Sequence, residues 1–190
     1  MSKIHFSKTI RLFSTYRKRG MQSANEDQRN LSLEATKRLE QLSYLLERLY
    51  KLEQRMRIQI QKDIPTMVVA KTLNGDFFKR QESIGKQIEI YTEAFYYLAF
   101  RLRVIIKLLP NLKSFEATGV LIVRNKLIEH SQGQDSLITD SSFGHIGSNG
   151  PQVKPARSSK SVGRFMDKGL YANAEELINN LNDKLLPLVK

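Results

Sequence analysis

The sequence predicts an all-α protein: an antiparallel four-helix bundle with a basic N-terminal arm and a long loop before the last helix. Three observations lead there. Apolar residues recur at alternating spacings of three and four from Leu31 to Ile60 and again from Ile84 to Leu109, the period of one helix face. Shorter stretches around Val120 and Leu177 repeat the spacing. No segment alternates apolar and polar residues as a half-buried strand would.

Residues 1–30 scatter Ile4, Phe6, Ile10, Leu12 and Phe13 among basic residues without a sustained period, and so predict a loosely ordered basic arm with room for a short helix. Lys3, Lys8, Arg11, Arg17, Lys18 and Arg19 are accompanied by hydroxyl residues and no acid up to residue 25. That composition faintly resembles an organelle transit peptide, lacks the apolar stretch of a secretory signal, and is read as a basic tail. In the first helix Ala35, Leu39, Leu42, Leu46, Leu49, Met56 and Ile60 share a seam that only Glu53 interrupts. Ser32 is its expected N-cap, with Glu34 in the first turn, and Pro65 its expected end.

Residues 63–80, with the turn signal Asn74-Gly75, make a connection. The second helix carries Ile84, Ile88, Tyr91, Phe95, Leu98, Leu102, Ile105 and Leu109 on one seam and stops at Pro110. The third is expected from near Ser114 to 130–133, with Val120, Val123 and Leu127 inward. Residues 133–167, rich in Ser and Gly and holding Pro151 and Pro155, predict a flexible loop. Asn173 and Glu176 have capping-box spacing for a final helix whose apolar edge is Leu177, Leu181 and Leu185, before Pro187. Residues 31–190 thus read as one helical domain.

Composition narrows the function. A chain of 190 residues is long enough for one domain with a real core, and its apolar (41%) and charged (26%) fractions are ordinary for a soluble globular protein. The balance of charge is not ordinary: +12 at neutral pH predicts attraction to polyanions and salt-sensitive RNA binding. The absence of cysteine excludes disulfides and thiolate chemistry and fits a cytoplasmic location. The longest apolar stretch, "FYYLAFRLRVIIKLL", is broken by Arg101, Arg103 and Lys107, short of the roughly 18 residues of a membrane span.

The chemistry-bearing string is "VRNKLIEH", Val123 to His130. At about 100° per residue, Arg124 and His130 lie roughly 120° apart on a helix with Leu127 between them. They flank the apolar stripe without touching, and converge on one cleft only where a second helix or subunit meets them. Asn125 and Glu129, four apart, are within reach of each other.

An arginine followed by asparagine, four further residues and a histidine, late in a helix of a small all-α bundle, resembles the HEPN superfamily, the higher eukaryote and prokaryote nucleotide-binding domains. The resemblance covers the bundle from about residue 31 to 130 and the last helix in general layout, and its specific content is this one string. It implies a homodimer with two motifs facing one cleft and metal-independent endoribonuclease activity without a cofactor. His130 would act as general base on the ribose 2′-hydroxyl or as acid to the leaving oxygen, since an imidazole titrates near neutrality. Arg124 would stabilise charge on the phosphate and Asn125 would orient the phosphate or the histidine. The products would carry a 2′,3′-cyclic phosphate. Ser131-Gln132 follow the histidine, so the tyrosine of the branch modified by a partner nucleotidyltransferase is missing.

Two other readings stand beside this one. Arg124 and His130 are also what a solvated helix end near its C-terminus would carry, in which case the chain is a non-catalytic helical interaction protein with a protein partner, or an RNA-binding module. Lys154, Arg157, Lys160 and Arg164 form a run without acids, suited to RNA backbone. Tyr91 and Phe95 read as core or dimer contacts rather than a base-stacking platform. Asp140 and His145 lack a second histidine at ligand spacing, so no metal site is expected. "ESIGKQ", around Gly85-Lys86, lacks the first glycine and the final hydroxyl of a phosphate loop.

Overall fold

The structure, a computed structural model, describes residues 4–19, 21–70, 75–131, 137–140, 151–155 and 169–190; within them the side chains at 63–70, 75–78, 126, 128–131, 137–140 and 152–155 are not described. The described elements are helices α1 (Ser7–Arg19), α2 (Glu26–Ala70), α3 (Gly75–Lys107), α4 (Thr118–Ser131) and α5 (Leu170–Val189), with strands β1 (Leu137–Asp140) and β2 (Gln152–Pro155) before α5. The described residues are helical apart from that ribbon, and five helices among them, rather than four, contribute to the core.

The fifth is α1, the short helix for which the basic N-terminal arm left room, here docked on the core rather than loosely ordered. Phe6, Phe13 and Tyr16 are buried on one side, while Lys8, Arg11, Lys18 and Arg19 face solvent. Three apolar anchors are enough to dock a short helix whose other face is too basic to show a clear period. The Tyr16 hydroxyl donates to the Pro110 carbonyl at 2.7 Å, and burial raises its pKa to about 12. Ile4 N–H donates to the Tyr50 hydroxyl and Arg17 to the Thr36 hydroxyl, so α1 runs antiparallel to α2.

The start of α2 is also earlier than expected. Asn25 and Gln28 form a reciprocal capping box: Gln28 N–H donates to Asn25 Oδ1 (2.9 Å) and Asn25 N–H to Gln28 Oε1 (3.3 Å). Ser32, the expected cap, is instead buried within the helix, its hydroxyl donating to the Arg29 carbonyl at 2.7 Å. Pro65 does not end α2, whose backbone stays helical to Ala70; proline removes one N–H and one ladder bond, a local loss in a 45-residue helix.

The seam of α2 is buried from Ala35 through Met56, and Glu53 is buried within it. On α3 the expected Ile88, Phe95, Leu102 and Ile105 are buried, but so are Thr92, Tyr96, Ala99 and Ile106. The wider stripe follows from the helix's position, packed against both α2 and α4. Thr92 meets the demand of burial by donating its hydroxyl to the Ile88 carbonyl.

After α3 the chain turns through Asn111, whose φ of 61° is a left-handed conformation that asparagine tolerates. Arg103 and Lys107 on α3 both pair with Glu116, just before α4. The start of α4 packs on α5 so closely that a Cβ added at Gly119 would lie 2.2 Å from Asn173 Oδ1. Gly119 N–H donates to the Glu176 carboxylate, a negative group at the helix's positive end.

Asn173 and Glu176 therefore do not cap α5. That helix starts at Leu170 after Gly169 (φ 95°), Asn173 donates to the Tyr96 hydroxyl at 2.9 Å, and Glu176 serves α4. Pro187 lies inside α5, near its end. In place of an unbroken loop over 133–167, Leu137–Asp140 and Gln152–Pro155 pair antiparallel, with Ile138 opposite Lys154, and the ribbon is tied to α5 by Leu170 N–H donating to the Pro151 carbonyl. Side chains in a two-stranded ribbon need not alternate to satisfy a buried face, which is why no strand pattern preceded it.

Candidate functional site

The motif residues Arg124, Asn125 and His130 all lie on α4, late in a helix of 14 residues. Val120 and Val123 are buried and Leu127 partly so, which fixes the inward face of α4 and leaves Arg124 at its edge. The Arg103–Glu116 and Arg124–Phe100 contacts show α4 running back along α3.

Arg124 is partly buried. Its Cζ sits 4.0 Å from the centroid of the Phe100 ring on α3, a cation–π contact that also clamps the guanidinium plane. Nη1 donates to Asn125 Oδ1 at 3.3 Å, and Nε is buried without a partner. Among the described residues no carboxylate pairs with Arg124. A held cation with spare donors and no acidic partner is electrostatically unfinished, and an anion would complete it. Asn125 is exposed beside it.

The backbone of His130 belongs to α4, six residues and about 9 Å of helical rise beyond Arg124; its side chain lies outside the described residues, as does that of Glu129. Among the basic run, Lys154 is on β2 with its side chain outside the described residues, and Arg157, Lys160 and Arg164 lie wholly outside them. The structure therefore brings together Arg124 and Asn125, and adds Phe100, which sequence reasoning missed. An aromatic 24 positions upstream carries no local signal that it will lie under an arginine.

Large apolar side chains are exposed on α3 and on the motif helix α4. Ile90 and Tyr97, seven apart and so nearly in line on α3, are 63% and 60% exposed; Leu108, just past the end of α3, is 56% exposed, and Ile122 on α4 is 47% exposed. Tyr91 and Leu98, expected in the seam, are only partly buried. Among the described residues no group of three His, Asp or Glu side chains is placed to hold a metal ion, and no helix is long and apolar enough to cross a membrane.

A second polar cluster lies between α2 and the start of α5. Glu53 on α2 is 4% exposed and burial raises its pKa to about 7, against smaller opposing effects from Tyr171 and Arg57. Tyr171 of α5 stacks on Tyr50 with centroids 4.6 Å apart, and its hydroxyl is held protonated by burial and by Glu53. Although the two groups shift each other's proton affinity, neither Glu53 Oε1 nor the Tyr171 hydroxyl has a partner in hydrogen-bonding geometry.

Comparison with protein-family models, with curated proteins and with solved structures finds no match.

Proposed function

We propose that the protein is a metal-independent endoribonuclease of HEPN type that works as a homodimer of antiparallel helical bundles. The observation that carries this reading is the state of Arg124: stacked on Phe100, bonded to Asn125 and without an acidic partner among the described residues. A phosphate oxygen is the ligand whose geometry suits the spare donors of a guanidinium held flat at a helix edge. In this reading His130 takes the proton of the ribose 2′-hydroxyl, the 2′ oxygen attacks the adjacent phosphorus, and the 5′ oxygen leaves with a proton returned by a histidine. Arg124 holds the charge that develops on the phosphate, and Asn125 keeps the guanidinium in register. The products are a 2′,3′-cyclic phosphate and a 5′-hydroxyl, a transfer that balances without a metal.

The exposure of Ile90, Tyr97 and Leu108, with Ile122 on the motif helix, supports a second copy as the surface that closes the cleft. A non-catalytic RNA-binding or helical interaction protein is the second reading, and the stack on Phe100 favours it equally, since a purely structural arginine would make the same contact. Cleavage of RNA in chelator by the unaltered protein, lost in Arg124→Ala and His130→Ala, separates the two. No cleavage, or equal cleavage by all three, removes the ribonuclease reading and leaves the other.

A further inference from the structure

We infer that the cleft between α1 and the first turns of α2 is a docking site for single-stranded RNA, separate from the motif on α4. It is a cavity of about 440 Å³ lined by Arg17, Lys18 and Arg29, with the exposed Leu33 and the buried Met21 as its apolar residues. That volume falls in the range of about 300 to 1,000 Å³ typical of small-ligand pockets, and no carboxylate among the described residues lines it. The choice of RNA over DNA rests on the proposed ribonuclease activity.

The cations are held apart from acids. Arg17 donates to the Thr36 hydroxyl at 3.3 Å and Arg29 to the Gln22 carbonyl at 3.4 Å, so both guanidinium groups are oriented by neutral acceptors that leave their charge uncompensated. Lys18 is exposed, and among the described residues none of the three has an ion-pair partner. Behind them α1 adds Lys8, Arg11 and Arg19 with no acid anywhere in the helix. Single-stranded nucleic acid asks for this combination: cations that follow the phosphates, and a face on which a base or ribose can lie. Leu33, 51% exposed at the mouth, supplies the face.

A membrane surface fits less well. Phe6, Phe13 and Tyr16 are buried in the core and Ile10 and Leu12 pack partly buried against it, so the exposed side of α1 is basic, with no fully exposed large apolar side chain to insert among lipids.

The test uses the full-length protein and a short labelled 2′-O-methyl oligouridine, which binds as RNA but offers no 2′-hydroxyl to attack. Lys18→Glu combined with Arg29→Glu is expected to weaken binding about tenfold or more at low salt and to flatten the dependence of log affinity on log salt by about 1.4, at 0.7 per lost phosphate contact. Lys62→Glu with Lys79→Glu makes the same charge change on exposed residues away from the cleft, and should cost about threefold or less. Lys18→Glu alone, at a side chain with no partner to lose, guards against misfolding and should show a smaller loss of the same kind. Equal loss in both double variants, no binding by the unaltered protein, or loss of binding to anionic phospholipid vesicles with oligouridine affinity unchanged would each overturn the inference. Cleavage of ordinary RNA is read separately: specific docking without cleavage removes the ribonuclease reading and keeps the cleft, whereas cleavage with unaltered docking in Lys18→Glu/Arg29→Glu does the reverse.

Discussion

Glu53 is a carboxyl at a leucine position of a helical seam, and burial raises its pKa from 4.5 to about 7. A carboxyl whose proton is held more tightly in the folded state stabilises the fold when neutral. Its contribution is full below pH 4.5 and is lost as pH rises from there to about 7. A shift of that size corresponds to roughly 3 kcal/mol. Glu53→Gln removes the charge at nearly constant volume, so urea unfolding at about pH 8 should show it more stable than the parent by about 1–3 kcal/mol, with the gain vanishing near pH 4. A gain that does not depend on pH would contradict this account of Glu53. Gly119 makes the opposite case. Alanine there would press on Asn173, which is anchored to Tyr96, so Gly119→Ala should lower stability by about 1–3 kcal/mol in the same experiment. Neither consequence shows in local sequence: an interrupted seam marks Glu53 as unusual without showing what surrounds it, and nothing near Gly119 reveals the helix 50 residues downstream.

Elements with long periodic seams were legible, and those defined by contact were not. The buried faces of α2 and α3 follow the three-and-four spacing because burial of a stripe is what selects that spacing. Boundaries fared differently: Asn25 with Gln28, rather than Ser32, caps α2, since a cap requires the backbone to enter the helix there and sequence offers several candidate hydroxyls and amides. Asn25→Ala should cost about 1 kcal/mol, while Ser32→Ala should cost less, its hydroxyl bonding only a carbonyl of its own helix. The sequence allowed a short helix in the basic arm without placing it, because the 13 residues of α1, with three buried positions, give too little period against a basic background. Phe13→Ala should therefore cost about 3–5 kcal/mol, the loss expected of a fully buried aromatic; a loss below about 1 kcal/mol would mean that α1 does not contribute to the core.

At the scale of the whole molecule, the crossing of α3 and α4 puts Arg124 at the edge of the core, half-buried against a ring from α3. Half of the candidate site was readable beforehand: the arginine and asparagine are on the helix where spacing put them, because Val120, Val123 and Leu127 orient it. The support from Phe100 was not readable, since it depends on how α3 and α4 cross. The apolar surface of Ile90, Tyr97 and Leu108 is where a second copy would seat, and Tyr97→Glu should shift the sedimentation profile toward monomer while leaving the urea midpoint within the range of an exposed substitution. The central claim is chemical. Purified protein incubated with mixed RNA in excess chelator should generate fragments ending in 2′,3′-cyclic phosphate, and Arg124→Ala and His130→Ala, folded to the same extent, should slow the reaction by about a hundredfold or more. Intact RNA with the unaltered protein, or the same rate in both variants, would contradict it.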